Sequence, residues 1–185
     1  MPDADSTAER AEAMAVAEQV HAGTDAIVVP TELVEEPSEP KPAAEPEKAL
    51  WLRIRTMSVA EKVKLALRGN KDARGILLRD TNRILPRLVL QNPRITEEEI
   101  LTLAKDRNVD EEILRLIADS REWTKVYAVR CALVENARTP AGKALNLLPT
   151  LGEREISRLA KSKQVPNVIS VQARRILFQT QQRRH

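Results

Sequence analysis

Beyond Trp51 the apolar residues recur at i, i+3 and i+4, and helix start signals follow one another closely. Such a pattern restricts this part of the chain to short, mutually packed helices. Ser58-Val59-Ala60-Glu61 has the spacing of a capping box, with Val63, Leu65, Ala66 and Leu67 behind it. Thr96-Glu97-Glu98-Glu99 repeats the device ahead of Ile100, Leu101, Leu103 and Ala104. Asp110-Glu111-Glu112 opens a third helix and Thr150-Leu151-Gly152-Glu153 another, each with acids where the helix dipole favours them. Pro140 and Pro166 stand where a first helical turn tolerates proline. No strand-like alternation or hairpin turn interrupts the pattern, so the spacing predicts an all-α fold of about eight short helices. Trp51, Trp123, Tyr127 and Phe178 are the whole aromatic inventory, leaving the packing to aliphatic ridges.

The first 50 residues read differently. They hold 12 of the 27 acidic residues and three of the 30 basic ones (Arg10, Lys41, Lys48), a net −9. The remaining 27 basic and 15 acidic residues give the rest of the chain +12. Six of the 11 prolines also lie in the first 50 positions, and the Glu-Pro and Lys-Pro steps from Glu36 to Glu47 predict an extended linker. The expected organisation is therefore a disordered acidic tail, 1–50, and a basic helical domain, 51–185. Within the tail, Ser6-Thr7-Ala8-Glu9 has capping-box spacing ahead of an Ala-rich run to Val20, which predicts a frayed helix. Ile27, Val28, Val29, Leu33 and Val34 form an apolar island suited to docking on a partner or on the basic domain.

Leu88-Val89-Leu90-Gln91-Asn92-Pro93-Arg94-Ile95-Thr96 and Ala132-Leu133-Val134-Glu135-Asn136-Ala137-Arg138-Thr139-Pro140 align at an offset of 44. Leu65-Ala66-Leu67-Arg68-Gly69-Asn70 and Leu116-Ile117-Ala118-Asp119-Ser120 echo them, and the asparagines read as helix stops. A two-helix unit of that length is HEAT-sized. With these turns the chain resembles HEAT-like repeats across roughly Ser58–Phe178. It is also similar to the leucine-rich repeat variant family, whose units carry an Asn-Pro-x-Thr-Pro-like turn, and the whole domain resembles an uncharacterised bacterial repeat family. The resemblance implies a short right-handed α-solenoid whose concave face binds a macromolecule. The four-cysteine cluster that some leucine-rich repeat variant proteins use for an iron–sulfur centre is absent, and Pro86 is expected to kink its helix or delay its start.

Chemistry is sparse. The histidines are His21 and His185, and the lone cysteine, Cys131, excludes an internal disulfide, fits a reducing cytosol and is expected to be buried. This inventory argues against thiol or histidine catalysis and against a His/Cys zinc site. No Gly-rich phosphate loop occurs, and the carboxylate runs at 97–99 and 110–112 read as helix starts. No cofactor is expected. Without a secretory h-region or an apolar run of about 18 residues, the expectation is a cytoplasmic protein with no membrane partner. The basic residues remain. Arg154, Arg158 and Lys161 share a helix face, Arg174 and Arg175 follow, and Arg83 and Arg87 belong to a second run that also holds Arg74, Arg79 and Arg94. The leading reading is a non-enzymatic scaffold or adaptor that takes an acidic protein partner on this basic surface. The alternative is nucleic-acid binding through phosphates, against which the missing aromatic platform counts for single strands.

Overall fold

The computed structural model describes residues 4–35 and 45–183, and among them twelve α-helices and two 3-10 turns but no strand. Two compact units divide the chain at Ile95/Thr96, so the division does not follow the change of charge near residue 50.

The first unit begins with α1, Ala4–Ala22. Ala13, Ala17 and Val20, at i, i+4 and i+7, make a stripe of small side chains that lets α1 lie against α3, Val59–Arg68. The helix starts upstream of Ser6 and is not an isolated helix; packing supplies what its length does not. Gly23, at φ 70°, ends it: Thr24 N–H donates to Gln19 O at 3.0 Å and Gly23 N–H to Val20 O at 3.3 Å. A 3-10 turn follows at Thr31–Leu33, and Leu33 enters the same core as Val63, Leu67 and Leu88. The expected disordered tail is thus corrected for 4–35, which contribute core side chains. The proline-rich stretch 36–44 lies outside the described residues.

After α2, Glu45–Arg55, the predicted capping box of α3 is present, with Ser58 and Glu61 each accepting the other's amide. Asn70 then starts α4, Lys71–Leu77, by accepting Ala73 N–H at 3.0 Å. In α5, Ile84–Val89, Pro86 is the third residue, where its missing N–H would have had no intrahelical partner, so it is accommodated without ending the helix.

The second unit is built from α6 Glu97–Lys105, α7 Glu111–Asp119, α8 Arg121–Lys125, α9 Tyr127–Glu135, α10 Ala141–Leu147, α11 Glu153–Lys161 and α12 Asn167–Arg183. A 3-10 turn at Leu148–Thr150 precedes α11. Three of its helix pairs, α6/α7, α9/α10 and α11/α12, are joined by the same five-residue turn, at 106–110, 136–140 and 162–166. The first turn residue (Asp106, Asn136, Ser162) accepts the N–H two positions on, at 2.8, 3.0 and 3.2 Å. The fourth (Val109, Thr139, Val165) is turned inward, and the next helix starts immediately after the fifth. Asn92 to Thr96, just ahead of α6, has this form too, with Asn92 accepting Arg94 N–H at 2.9 Å. The alignment at offset 44 therefore pairs true structural equivalents, Asn92 and Asn136, and misses the copies at 106 and 162.

Candidate binding surface

The asparagines expected only to stop helices do more. Asn136 is buried, and its amide donates to Ala104 O and Asp106 O, both at 2.9 Å, holding the C-terminal end of α6. Asn92, likewise buried, donates to Ala66 O at 2.9 Å and Gly69 O at 3.3 Å at the end of α3. Helix C-termini leave carbonyls without intrahelical partners, and one amide side chain satisfies two of them. Arg174 holds one such carbonyl of α11, donating from Nε to Ala160 O at 3.0 Å.

These bonds bring the turns of the second unit to one edge. Asn136 joins the turn after α9 to that after α6, and Arg107 donates to Gln164 at 2.8 Å, joining the latter to the turn after α11. With the first and fourth residues of each turn facing inward, the intervening positions face solvent. They carry Arg107, Arg138 and Lys163, and the last helical residues before two of the turns are Lys105 and Lys161. All five are exposed, as is Arg174, and none has an ion pair among the described residues. Several cations elsewhere are held, Lys62 by Asp80 at 3.2 Å, Lys64 by Asp25 at 2.5 Å, Arg115 by Glu112 at 2.6 Å, and Lys143 by Asp119, whereas others such as Arg79, Arg121 and Arg175 are exposed. Part of this basic edge offsets the helix dipoles, but side chains reaching water beyond the carbonyls leave a positive potential.

The residues singled out in the sequence fall in several places. Lys161 and Arg174 belong to the edge. Arg158 is paired with Glu135, and Arg154, seven residues before Lys161, sits about 10 Å away at the other end of α11. Arg175 is exposed on α12. Arg83 and Arg87 lie in the first unit, on and beside α5, and each already has an interaction partner. Arg74, read as part of the same run, is 1% exposed and donates to Gly69 O at 3.0 Å, so it serves the core. Lys163 belongs with the C-terminal basic residues read from the sequence, whereas Lys105, Arg107 and Arg138 were not singled out as binding residues; the turn register, once aligned, is the signal that marks them. Of the apolar island, Ile27, Val29, Leu33 and Val34 pack on the first unit's core, whereas Val28 is 85% exposed.

A second constellation caps α11. Gly152 opens this helix without a side chain, and its N–H donates to the Tyr127 hydroxyl at 2.9 Å. That bond favours the phenolate, yet desolvation and hydrogen bonds with Glu155 and Cys131 outweigh it and raise the phenol above its ordinary value. Burial also pushes the Cys131 thiol up; it is half-buried rather than buried as expected, and held in the less reactive form. The arrangement is that of a borrowed helix cap. Among the described residues no group of three His, Cys, Asp or Glu is placed to hold a metal ion, and no helix is long and apolar enough to cross a membrane. His21 is exposed at the end of α1, and His185 lies outside the described residues. Comparison with protein-family models, with curated proteins and with solved structures found no match.

Proposed function

We propose that the protein is a non-enzymatic adaptor of HEAT-like, solenoid type, which takes an acidic segment of a partner protein on the basic edge of its second unit. The observation that carries this reading is the repetition, at the outward positions of equivalent turns, of cations that have no ion pair among the described residues. Carboxylates spaced along a flexible partner would meet Lys105, Arg107, Arg138, Lys161 and Lys163 as successive charges. The lone cysteine and the +12 excess after residue 50 fit a reducing cytoplasm and an acidic partner.

Binding of polyglutamate and of a generic DNA duplex, titrated against salt, tests it. The full chain is expected to bind polyglutamate, and Lys105→Glu/Arg107→Glu/Arg138→Glu/Lys163→Glu to lose at least about tenfold in affinity and flatten the salt slope. Tight duplex binding at physiological salt without polyglutamate binding would replace this reading by phosphate recognition.

A further inference from the structure

The segment between α1 and α2 is held as a protein holds a peptide. Residues 24–30 form no regular structure, and Thr31–Leu33 make a single 3-10 turn. Their main chain leans on side chains from elsewhere in the first unit. Lys64 donates to Ile27 O, and Asn70 Nδ2 donates to Glu32 O at 2.9 Å and Glu35 O at 3.0 Å. Asn70 N–H takes Leu33 O at 2.7 Å, and Arg94 donates to Val34 O at 2.6 Å. Beneath these bonds Ile27, Val29 and Leu33 face the core while Val28 points to solvent, the alternation of an extended ligand. Charges match as well: Asp25 meets Lys64 at 2.5 Å and Glu32 meets Arg53 at 3.3 Å.

The grip of Asn70 is that of Asn92 and Asn136, two carbonyls taken by one amide. Those two, however, hold the ends of α-helices. Asn70 holds only a 3-10 turn and the extended residues around it, an element with few main-chain bonds of its own and so drawn from the low-stability end of the fold. Recognition through carbonyls is tolerant of the side chains that bear them.

We propose that α3, Asn70 and Arg94 form a peptide groove in which residues 24–35 sit as an intramolecular ligand. The external ligand it fits is an unstructured partner segment of the same chemistry: an acidic residue, then aliphatic residues at the second and fourth positions after it and again at the eighth and ninth. The groove lies in the first unit, so charge reversal on the edge of the second leaves its binding unchanged.

The probe is a labelled synthetic peptide of residues 22–35, followed by fluorescence anisotropy with the full chain. The unaltered protein is expected to bind it weakly, because the tethered copy competes at an effective concentration of roughly millimolar. Ile27→Ser/Leu33→Ser in the chain loosens the tethered copy and is expected to tighten peptide binding at least about tenfold. Adding Lys64→Glu is expected to abolish that gain, and a peptide carrying Asp25→Lys to restore it. A folded double variant with no gain, or a gain indifferent to Lys64→Glu, overturns the proposal. So does a dimer that exchanges residues 24–35 between copies in preference to the peptide. Should the double variant unfold, hydrogen exchange on the unaltered chain decides. Amides of Leu33, Val34 and Asn70 exchanging at least about tenfold faster than those inside α3 support a detachable ligand. A single slow rate for both makes the segment a fixed part of the fold and overturns it.

Discussion

Asn136 and Thr139 stand three residues apart in one turn, and both are buried, with opposite hydrogen-bond accounts. Asn136 donates to two carbonyls and accepts an amide, whereas the Thr139 hydroxyl has no partner among the described residues. Asn136→Ala therefore leaves two carbonyls bare and is expected to cost about 2–4 kcal/mol by denaturant unfolding. Asn136→Asp keeps the shape but sets a carboxylate against those carbonyls, which raises its folded pKa above the unfolded value. Its stability should then be greatest below about pH 4 and decline as pH rises toward neutrality, the reverse of an ordinary carboxylate. Thr139→Val, by contrast, removes a hydroxyl that bonds to nothing and installs the residue found at the equivalent positions 109 and 165. A gain of up to about 1 kcal/mol is expected, read from the melting midpoint.

At the scale of elements, local spacing foretold the side-chain caps of α3, α6 and α7 but not those of α4 and α8, given by Asn70 and Ser120. The capping boxes at Ser58/Glu61 and Thr96/Glu99 formed and Asp110 caps α7, whereas Ser6 falls inside α1 rather than at its start. The bonds that Ser58 gives to Glu61 hold its carboxyl below the ordinary value. Elements fixed by distant contacts were less legible. Nothing local in Ala4–Ala22 shows that its small residues face α3, and the apolar island at 27–34 marks a docking segment without saying which side chains hold it. The Asp25–Lys64 contact gives this segment a pH signature. The lysine's hydrogen bond holds the Asp25 carboxyl below its ordinary range. A depressed folded pKa stabilises above the unfolded value and loses that contribution as pH falls through the folded one. Docking of residues 24–35 should thus be constant at neutral pH and weaken below about pH 4, seen as faster hydrogen exchange at Asn70 and Val34. In Lys64→Met that acid dependence should shrink.

Over the whole molecule, the opposed charges of the first 50 residues and the rest do not mark a tail and a body. Asp25 and Glu32 are met in the first unit by Lys64 and Arg53, Arg94 takes the Val34 carbonyl there, and the turn cations Lys105, Arg107, Arg138, Lys161 and Lys163 lie on the second. A chain that begins at Trp51 is therefore expected to lose part of the first unit's core. Val20 and Leu33 alone, both buried, represent about 3–6 kcal/mol of apolar burial. Calorimetry should show a weakened or missing transition rather than a trimmed but otherwise intact protein. Retention of the full enthalpy and midpoint would mean that residues 4–35 add nothing to the core.

The helical class, most helix starts and the recurrence of Asn92 and Asn136 were readable from residue spacing, because caps and apolar periodicity act within one or two turns of chain. Which cations are free, which asparagines grip carbonyls, and that an acidic stretch fills a groove depend on partners 20 to 60 residues away, such as Asp25 for Lys64 or Val34 for Arg94. Local spacing carries no record of those partners. Ion pairing and burial are properties of what packing brings together, and only the tertiary structure decided them.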